Sequence, residues 1–370
     1  MKLFPPLASI SLAAMTLLNA ASAAERDFYV GTYTKKEGSR GIYHYRLDTQ
    51  TGKVTGGELA AESESPSFLA VHPGGKFVYA VNESKQTVSA FAIGEGGKLT
   101  ALNQQPSGGA DPCHISIAGN YALIANYTGG SLEVLPVEKD GSLGKPSDFI
   151  QHSGSGPDKK RQEKAHAHSI YPFGGFIYSC DLGTDHVNIY KLDPAKGTLA
   201  PNDPAFAHVA PGSGPRHLAF HEKNAYVINE MASTISLLTR DPNSGALSEP
   251  VQTISTLPDG FKGSSTTAEI FVHPNGKFVY GSNRGHDSIA VFSIGTDGKL
   301  TAIEQAGTQG KTPRGFGIDP TGNWLIAGNQ DSNSLVIFAI DSATGKLKPT
   351  GQKLEVGMPV SVAFVPAAAK

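Results

Sequence analysis

A repeat constrains this chain more than any other feature. Short apolar runs recur roughly every 45 to 55 residues: FLAV (68–71), HISI (114–117), HSIY (168–171), HLAF (217–220), EIFV (269–272), GFGI (315–318) and SVAF (361–364). After each of the first six comes a turn and then a second, aromatic-rich run ending at Asn82, Asn126, Asp181, Asn229, Asn283 or Asn329. Third runs follow, such as TVSAFAI, HVNIYKL and SLVIFAI, and then turns such as TDGKLTAI and ATGKLKPT that lead to an outer strand. Four short strands in each unit of this length are the signature of a β-propeller. Glycine (43 residues) and proline (24) fall between the runs and are not concentrated in one tract, which marks many tight turns and little helix. The reading is an all-β, seven-bladed propeller of four-stranded antiparallel blades.

The termini carry the closure. FYVGTY (28–33) looks like a second strand without a first, and the chain ends on a first strand without a second. Each end supplies what the other lacks, so both termini are expected to share one blade, which leaves no sheet edge unpaired. Although 370 residues suggest two domains, one ring then absorbs residues 24–370 as a single domain. Residues 1–23 read differently: Lys2, an apolar run to about Leu18, and Ala21-Ser22-Ala23 make a signal peptide, with a retained anchor as the alternative. The run is short for a membrane span. The expected address is the periplasm or the medium.

With 17% charged residues and a formal net charge of −2, the chain has no electrostatic case for nucleic acid or an anionic membrane surface. Cys113 and Cys180 lie in different repeat units and lack C-x-x-C partners, so a disulfide stays open and metal or redox readings are weak.

Two strands joined by a hairpin begin and end at the same sheet edge. In 214–230 this brings Arg216 and His217 close to Glu230. In every blade, residues that open a first strand and residues that close a second are therefore expected at one mouth of the channel. The first set is His114, His166, His168, Arg216, His217, Glu269 and Arg314; the second is Glu83, Tyr127, Glu230, Arg284 and Gln330, with His286 just beyond. So many titratable groups in one concavity suit small-molecule chemistry.

Plainer readings stand beside these. Arg216 and Glu230 also read as a simple ion pair, worth about 0–1 kcal/mol when partly exposed. His166 and His168 share a strand face, but a metal site needs a third ligand that the sequence does not supply. His72, His221 and His273 fall in turns at the opposite end and read as solvated. Long connections at 151–165 and 257–268 reach the same mouth as Arg216 and Glu230. Lys159, Lys160 and Arg161, in the first of these, can grip an anion but read more simply as a solvated loop. A single tryptophan, Trp324, removes the Trp-Asp repeats of interaction propellers and the Trp motifs of sialidases and quinoprotein dehydrogenases. No G-x-S-x-G elbow occurs.

Three segments, EKAHAHSIYPFGGFIYSCDLGTDHV (163–187), GSGPRHLAFHEKNAYVINE (212–230) and AEIFVHPNGKFVYGSNRGHDSIAVF (268–292), resemble the seven-bladed propeller lactonases, described as 6-phosphogluconolactonases, with fungal carboxy-muconate cyclising enzymes as relatives. The resemblance spans roughly Phe28 to Pro366. It implies a hydrolase of sugar lactones that needs neither metal nor cofactor. Its histidine, two arginines and glutamate match His168 (or His166), Arg216, Arg284 and Glu230; of the other residues expected at the mouth, His166, His217, Tyr127, His286 and Arg314 are expected as substrate contacts. A small-molecule lactone is the expected partner, and a monomer the expected state. Export is a departure, since phosphorylated sugar lactones are cytoplasmic intermediates, so an unphosphorylated or different lactone, or another role, stays open. Glu230 or His168 is the expected base, with Arg216 and Arg284 on the carboxylate or oxyanion. The alternatives are a non-enzymatic exported propeller that binds a sugar, peptide or protein, and a muconate-type cyclising enzyme.

Overall fold

The computed structural model describes residues 25–34 and 38–366; the signal-peptide reading of 1–23 lies outside them. The chain forms seven four-stranded antiparallel sheets arranged in chain order. In the first blade the innermost strand is Pro359–Phe364, from the C-terminal end, followed outward by Glu25–Thr32, Gly41–Asp48 and Val54–Glu62. Phe28 pairs with Phe364 and Val30 with Val362. The expected shared blade is present.

Blades pack face to face, and the alternating apolar residues of each sheet make the core between neighbours. Tyr280 and Val291 of the sixth blade, for example, meet Phe316, Leu325 and Phe338 of the seventh, all fully or almost fully buried. Each such aliphatic or aromatic side chain contributes about 1.5–3 kcal/mol by leaving water.

A polar clasp accompanies every packed face. A tyrosine in the second strand of one blade donates its hydroxyl to a backbone carbonyl in the outer turn of the next. These are Tyr29 to Gly97, Tyr79 to Gly141, Tyr121 to Pro194, Tyr178 to Gly245, Tyr226 to Gly298 and Tyr280 to Gly345, at 2.8–3.1 Å. At the seventh junction Trp324 takes the tyrosine's place, its indole N–H 2.9 Å from the Thr49 carbonyl. There a Cβ on Gly52 would sit 2.2 Å from the Trp324 ring, and Gly52 has φ +72°, so only glycine fits. The single tryptophan therefore completes the circle. Two turn histidines depart from the solvated reading. His273 is buried and bonds the Gly322 carbonyl at 2.7 Å, and the His221 ring packs where a Cβ on Gly276 would stand.

The innermost strands share an irregularity that positions the site. At the channel entrance the pairing skips one residue: Pro66 pairs with Asn82 but Phe68 with Val81, Pro112 with Asn126 but His114 with Ala125, and Pro215 with Asn229 but His217 with Ile228. The same slip occurs between Ala167 and Ser169, between Pro313 and Gly315, and, two residues wide, between Thr267 and Ile270. A bulge frees one residue from the ladder and re-aims its side chain. Those residues are Ser67, Cys113, His168, Arg216 and Arg314, with Ala268 and Glu269 in the wider slip.

Candidate active site

Above the bulges lies a cavity of about 520 Å³, lined by Tyr33, Glu83, Asp111, Cys113, Tyr127, Thr128, Arg161, His168, Glu230, Thr266, Arg284 and Arg314. Its organising group is Glu230, which follows the second strand of the fifth blade and is 5% exposed. Three guanidiniums hold its carboxylate. Arg161 Nη2 donates to Oε1 at 2.6 Å and Arg216 Nε to Oε2 at 3.0 Å, while Arg284 Nη2, which donates to the Thr267 carbonyl at 2.7 Å, stands 2.9 Å from Oε2 as an ion pair. Burial raises the Glu230 carboxyl, but Arg284, Arg216 and Arg161 together outweigh it and hold the group far below the usual carboxylate range. Its lone pairs are committed and its basicity is minimal, so it anchors charge and is a poor proton acceptor.

His168 stands beside it, Nε2 3.9 Å from Glu230 Oε2. Burial, with Arg216, His217 and Arg314 nearby, keeps its pKa well below the ordinary 6.5, so the ring is neutral at pH 7. Cys113 packs against it and donates its thiol to the His168 carbonyl at 3.2 Å; burial pushes that thiol far up, which excludes a thiolate nucleophile. Both Cys113 and Cys180 are free, buried thiols.

The floor is a constriction of about 10 Å³ where Arg216, His217, Glu269 and Phe68 meet. Arg216 Nη1 donates to His217 Nε2 at 3.1 Å, so the His217 proton sits on Nδ1, which donates to Glu269 Oε1 at 2.8 Å. The channel widens again below, into a mostly apolar hollow that includes His114 and Tyr171.

Of the residues expected at the mouth, Glu83, Tyr127, His168, Glu230, Arg284 and Arg314 line the cavity, and Arg216 holds Glu230 from beneath. Three of the expected substrate contacts do not line this cavity. His166 stacks on the Tyr127 ring, its nitrogens facing the Tyr127 carbonyl and the Glu163 carboxylate, so it supports Tyr127 from outside the cavity. His286 bonds Ser288 and abuts Phe261, also outside. His217 lies in the constriction beside Arg216, below the cavity. His114 sits deeper still, against Phe68 and Tyr171, and Gln330 bonds Asp331 at the rim.

The solvated reading of 159–161 holds for the two exposed lysines and fails for Arg161, which turns inward to Glu230 and to the Tyr127 hydroxyl at 3.2 Å. Its loop is pinned by buried Gln162, whose amide donates to the Leu182 carbonyl, and by Lys164, which bonds the Thr128 carbonyl. Asp111, Tyr33, Cys113 and Thr128 escaped the sequence reading. A signal was present for Cys113: it follows a proline that opens an inner strand, as Arg216 and Arg314 do.

Glu269 yields a pH prediction. Burial, partly offset by Arg216, a backbone hydrogen bond from Ile270, His114 and Arg314, pushes its carboxyl up to about 7. A raised carboxyl stabilises the fold while protonated; that contribution is full below the ordinary 4.5 and lost as pH rises through about 7. A Glu269→Gln chain has no proton to lose. It is expected to gain on the wild type between about pH 5 and pH 8, by on the order of 3 kcal/mol at the upper end. Urea midpoints at each pH check this; a constant difference across the window counts against it.

The family model described as "Lactonase, 7-bladed beta-propeller" matches residues 27–364. A 6-phosphogluconolactonase of Bacillus subtilis is 39% identical over 91% of this chain and 97% of its own length. One from Formosa agariphila is 36% identical over 89% and 96%. The solved structure of the Pseudomonas aeruginosa periplasmic gluconolactonase is 31% identical, superposes with a TM-score of 0.86, and matches over 93% of this chain and all of that one. With a full-length family match, relatives of this identity and the ring itself in agreement, the chain belongs to the seven-bladed β-propeller lactonase family.

Proposed function

We propose that this protein hydrolyses the ester of a six-membered sugar lactone, an aldonolactone or its 6-phosphate, in the cavity around Glu230. The observation that carries the reading is a neutral, buried imidazole beside a carboxylate saturated by guanidiniums, in a pocket that also presents Arg314. Among the described residues Arg314 has no carboxylate at ion-pair distance; it lies over the Tyr33 ring at 5.4 Å.

Hydrolysis needs an activated water and a stabilised oxyanion. His168 Nε2 takes a proton from water as the hydroxide oxygen bonds to the lactone carbonyl carbon. The imidazolium formed there faces the Glu230 carboxylate, which offsets the low basicity that burial imposes. The carbonyl oxygen becomes an oxyanion against Arg314 and Arg284, whose charge is already in place. Collapse breaks the bond from the carbonyl carbon to the ring oxygen, the imidazolium returns its proton to that oxygen, and the hydroxy acid leaves. Glu230 stays ionised throughout; its work is to fix three arginines.

The experiment is proton release from glucono-1,5-lactone, galactono-lactone and 6-phosphoglucono-lactone with purified protein, after correction for spontaneous hydrolysis. At least one is expected to turn over with kcat/KM above about 10⁴ M⁻¹s⁻¹. No acceleration with any of them rejects the reading.

A further inference from the structure

The cavity wall is divided by charge. The fourth to seventh blades bring His168, Glu230, Arg284 and Arg314, and Arg161 joins them from its loop. The first three blades bring Tyr33, Glu83, Tyr127, Thr128 and Asp111. On that second wall each carboxylate is half satisfied. Glu83 Oε2 accepts the Tyr33 hydroxyl at 2.8 Å, and Asp111 Oδ2 accepts the Thr128 hydroxyl at 2.5 Å. Among the described residues, Glu83 Oε1 and Asp111 Oδ1 accept no hydrogen bond.

We propose that Glu83 and Asp111 are specificity residues, which accept hydroxyls of an unphosphorylated aldonolactone ring and disfavour the phosphorylated one. The inference rests on the lactonase reading of the same cavity. The charges around the cavity do not cancel. Below about pH 7, where Glu269 in the floor is largely protonated, four guanidiniums (Arg161, Arg216, Arg284, Arg314) meet three carboxylates (Glu83, Asp111, Glu230), and three of the four are already tied to Glu230. One positive charge is left over. The oxyanion of lactone opening uses it. A phosphate adds about −1.5 to −2 charges at neutral pH and brings acceptor oxygens.

Only one wall donates from charged groups. If the phosphate takes the guanidinium wall, the reacting carbonyl is turned toward two carboxylates. If the carbonyl takes it, the phosphate is. A ring with free hydroxyls has no such conflict, because its donors meet Glu83 and Asp111 while its carbonyl meets Arg314. Like-charge opposition of this kind is how a site discriminates against a near relative of its substrate.

The test measures kcat/KM for glucono-1,5-lactone and for its 6-phosphate in the wild type, Glu83→Gln, Asp111→Asn and the double variant. Calorimetric affinities for gluconate and 6-phosphogluconate are measured in parallel. The wild type is expected to favour the unphosphorylated lactone, and each amide to shift the ratio toward the phosphorylated one by about tenfold, the size of one unscreened charge at this range. The double variant is expected to shift it further. A wild type that favours the phosphate, or a ratio unmoved by both substitutions, overturns the inference. If neither lactone turns over, the lactonase reading fails by itself and product affinities decide. Gluconate bound more tightly than its phosphate, with the preference eroded by the amides, supports the acidic wall. Equal affinities, or no binding of either, overturn it. Thermal midpoints within a few degrees of the wild type show that the variants are folded.

Discussion

A Glu230→Gln chain is expected to lose roughly 3–5 kcal/mol of stability at neutral pH, because removing one partner of a buried ion pair leaves the other charged and uncompensated. Here the stranded partners are Arg216 and Arg284, both largely buried, together with the half-exposed Arg161. The sign of the pH dependence follows. A carboxyl held below its ordinary 4.5 contributes stability that is complete above that value and given up as pH falls toward the lower folded one. The deficit of the variant is therefore widest at neutral pH and narrows in acid. Urea midpoints at about pH 7 and pH 3.5 measure it. Arg161 supplies a second readout, since its bond to Glu230 ties the 151–165 loop down beside two exposed lysines. Trypsin is expected to cut the variant within 159–161 far faster than the wild type. Unchanged midpoints together with unchanged cleavage would show that Glu230 does not organise the site.

The second large effect belongs to His168. Asparagine at this position keeps a polar group but cannot take a proton from water. A loss of about 10²–10⁴ in kcat is expected, with KM within a few-fold, because the base acts only in the transition state. The wild-type profile adds a sign. The ring pKa lies well below 6.5, so the base is already neutral at the ordinary histidine value, and activity drops only in distinctly acid solution. His168→Asn removes that acid limb. Turnover within tenfold of the wild type would move the proton transfer elsewhere.

The ring was legible because it is periodic: apolar alternation, turn residues and mismatched termini all report the same geometry, and each blade repeats the message. The mouth was legible only in outline. Arg216, His168 and Arg314 were found because they open inner strands, yet the same rule admitted His166, His217 and His114, which point elsewhere. What separates the groups is the slip of one residue in the pairing, and strand alternation carries no trace of a bulge. The recurrent proline was the available clue: Pro112, Pro215 and Pro313 stand directly before Cys113, Arg216 and Arg314. Arg161 was hidden for another reason. A basic triplet in a long loop looks the same whether all three side chains are solvated or one of them folds back onto a carboxylate from a different blade.

Because strand Pro359–Phe364 lies innermost in the blade that Glu25–Thr32 begins, the ring's inner wall is finished by a strand that follows all the other blades along the chain. A polypeptide that lacks Pro359–Phe364 has six blades with their own inner strands and an empty slot in the first, with the edge of Glu25–Thr32 bare to any passing strand. Completion of the binding cavity thus waits on that one strand: a chain cut short before Pro359 is an open horseshoe, with an unsealed flank through which such chains can stick to one another.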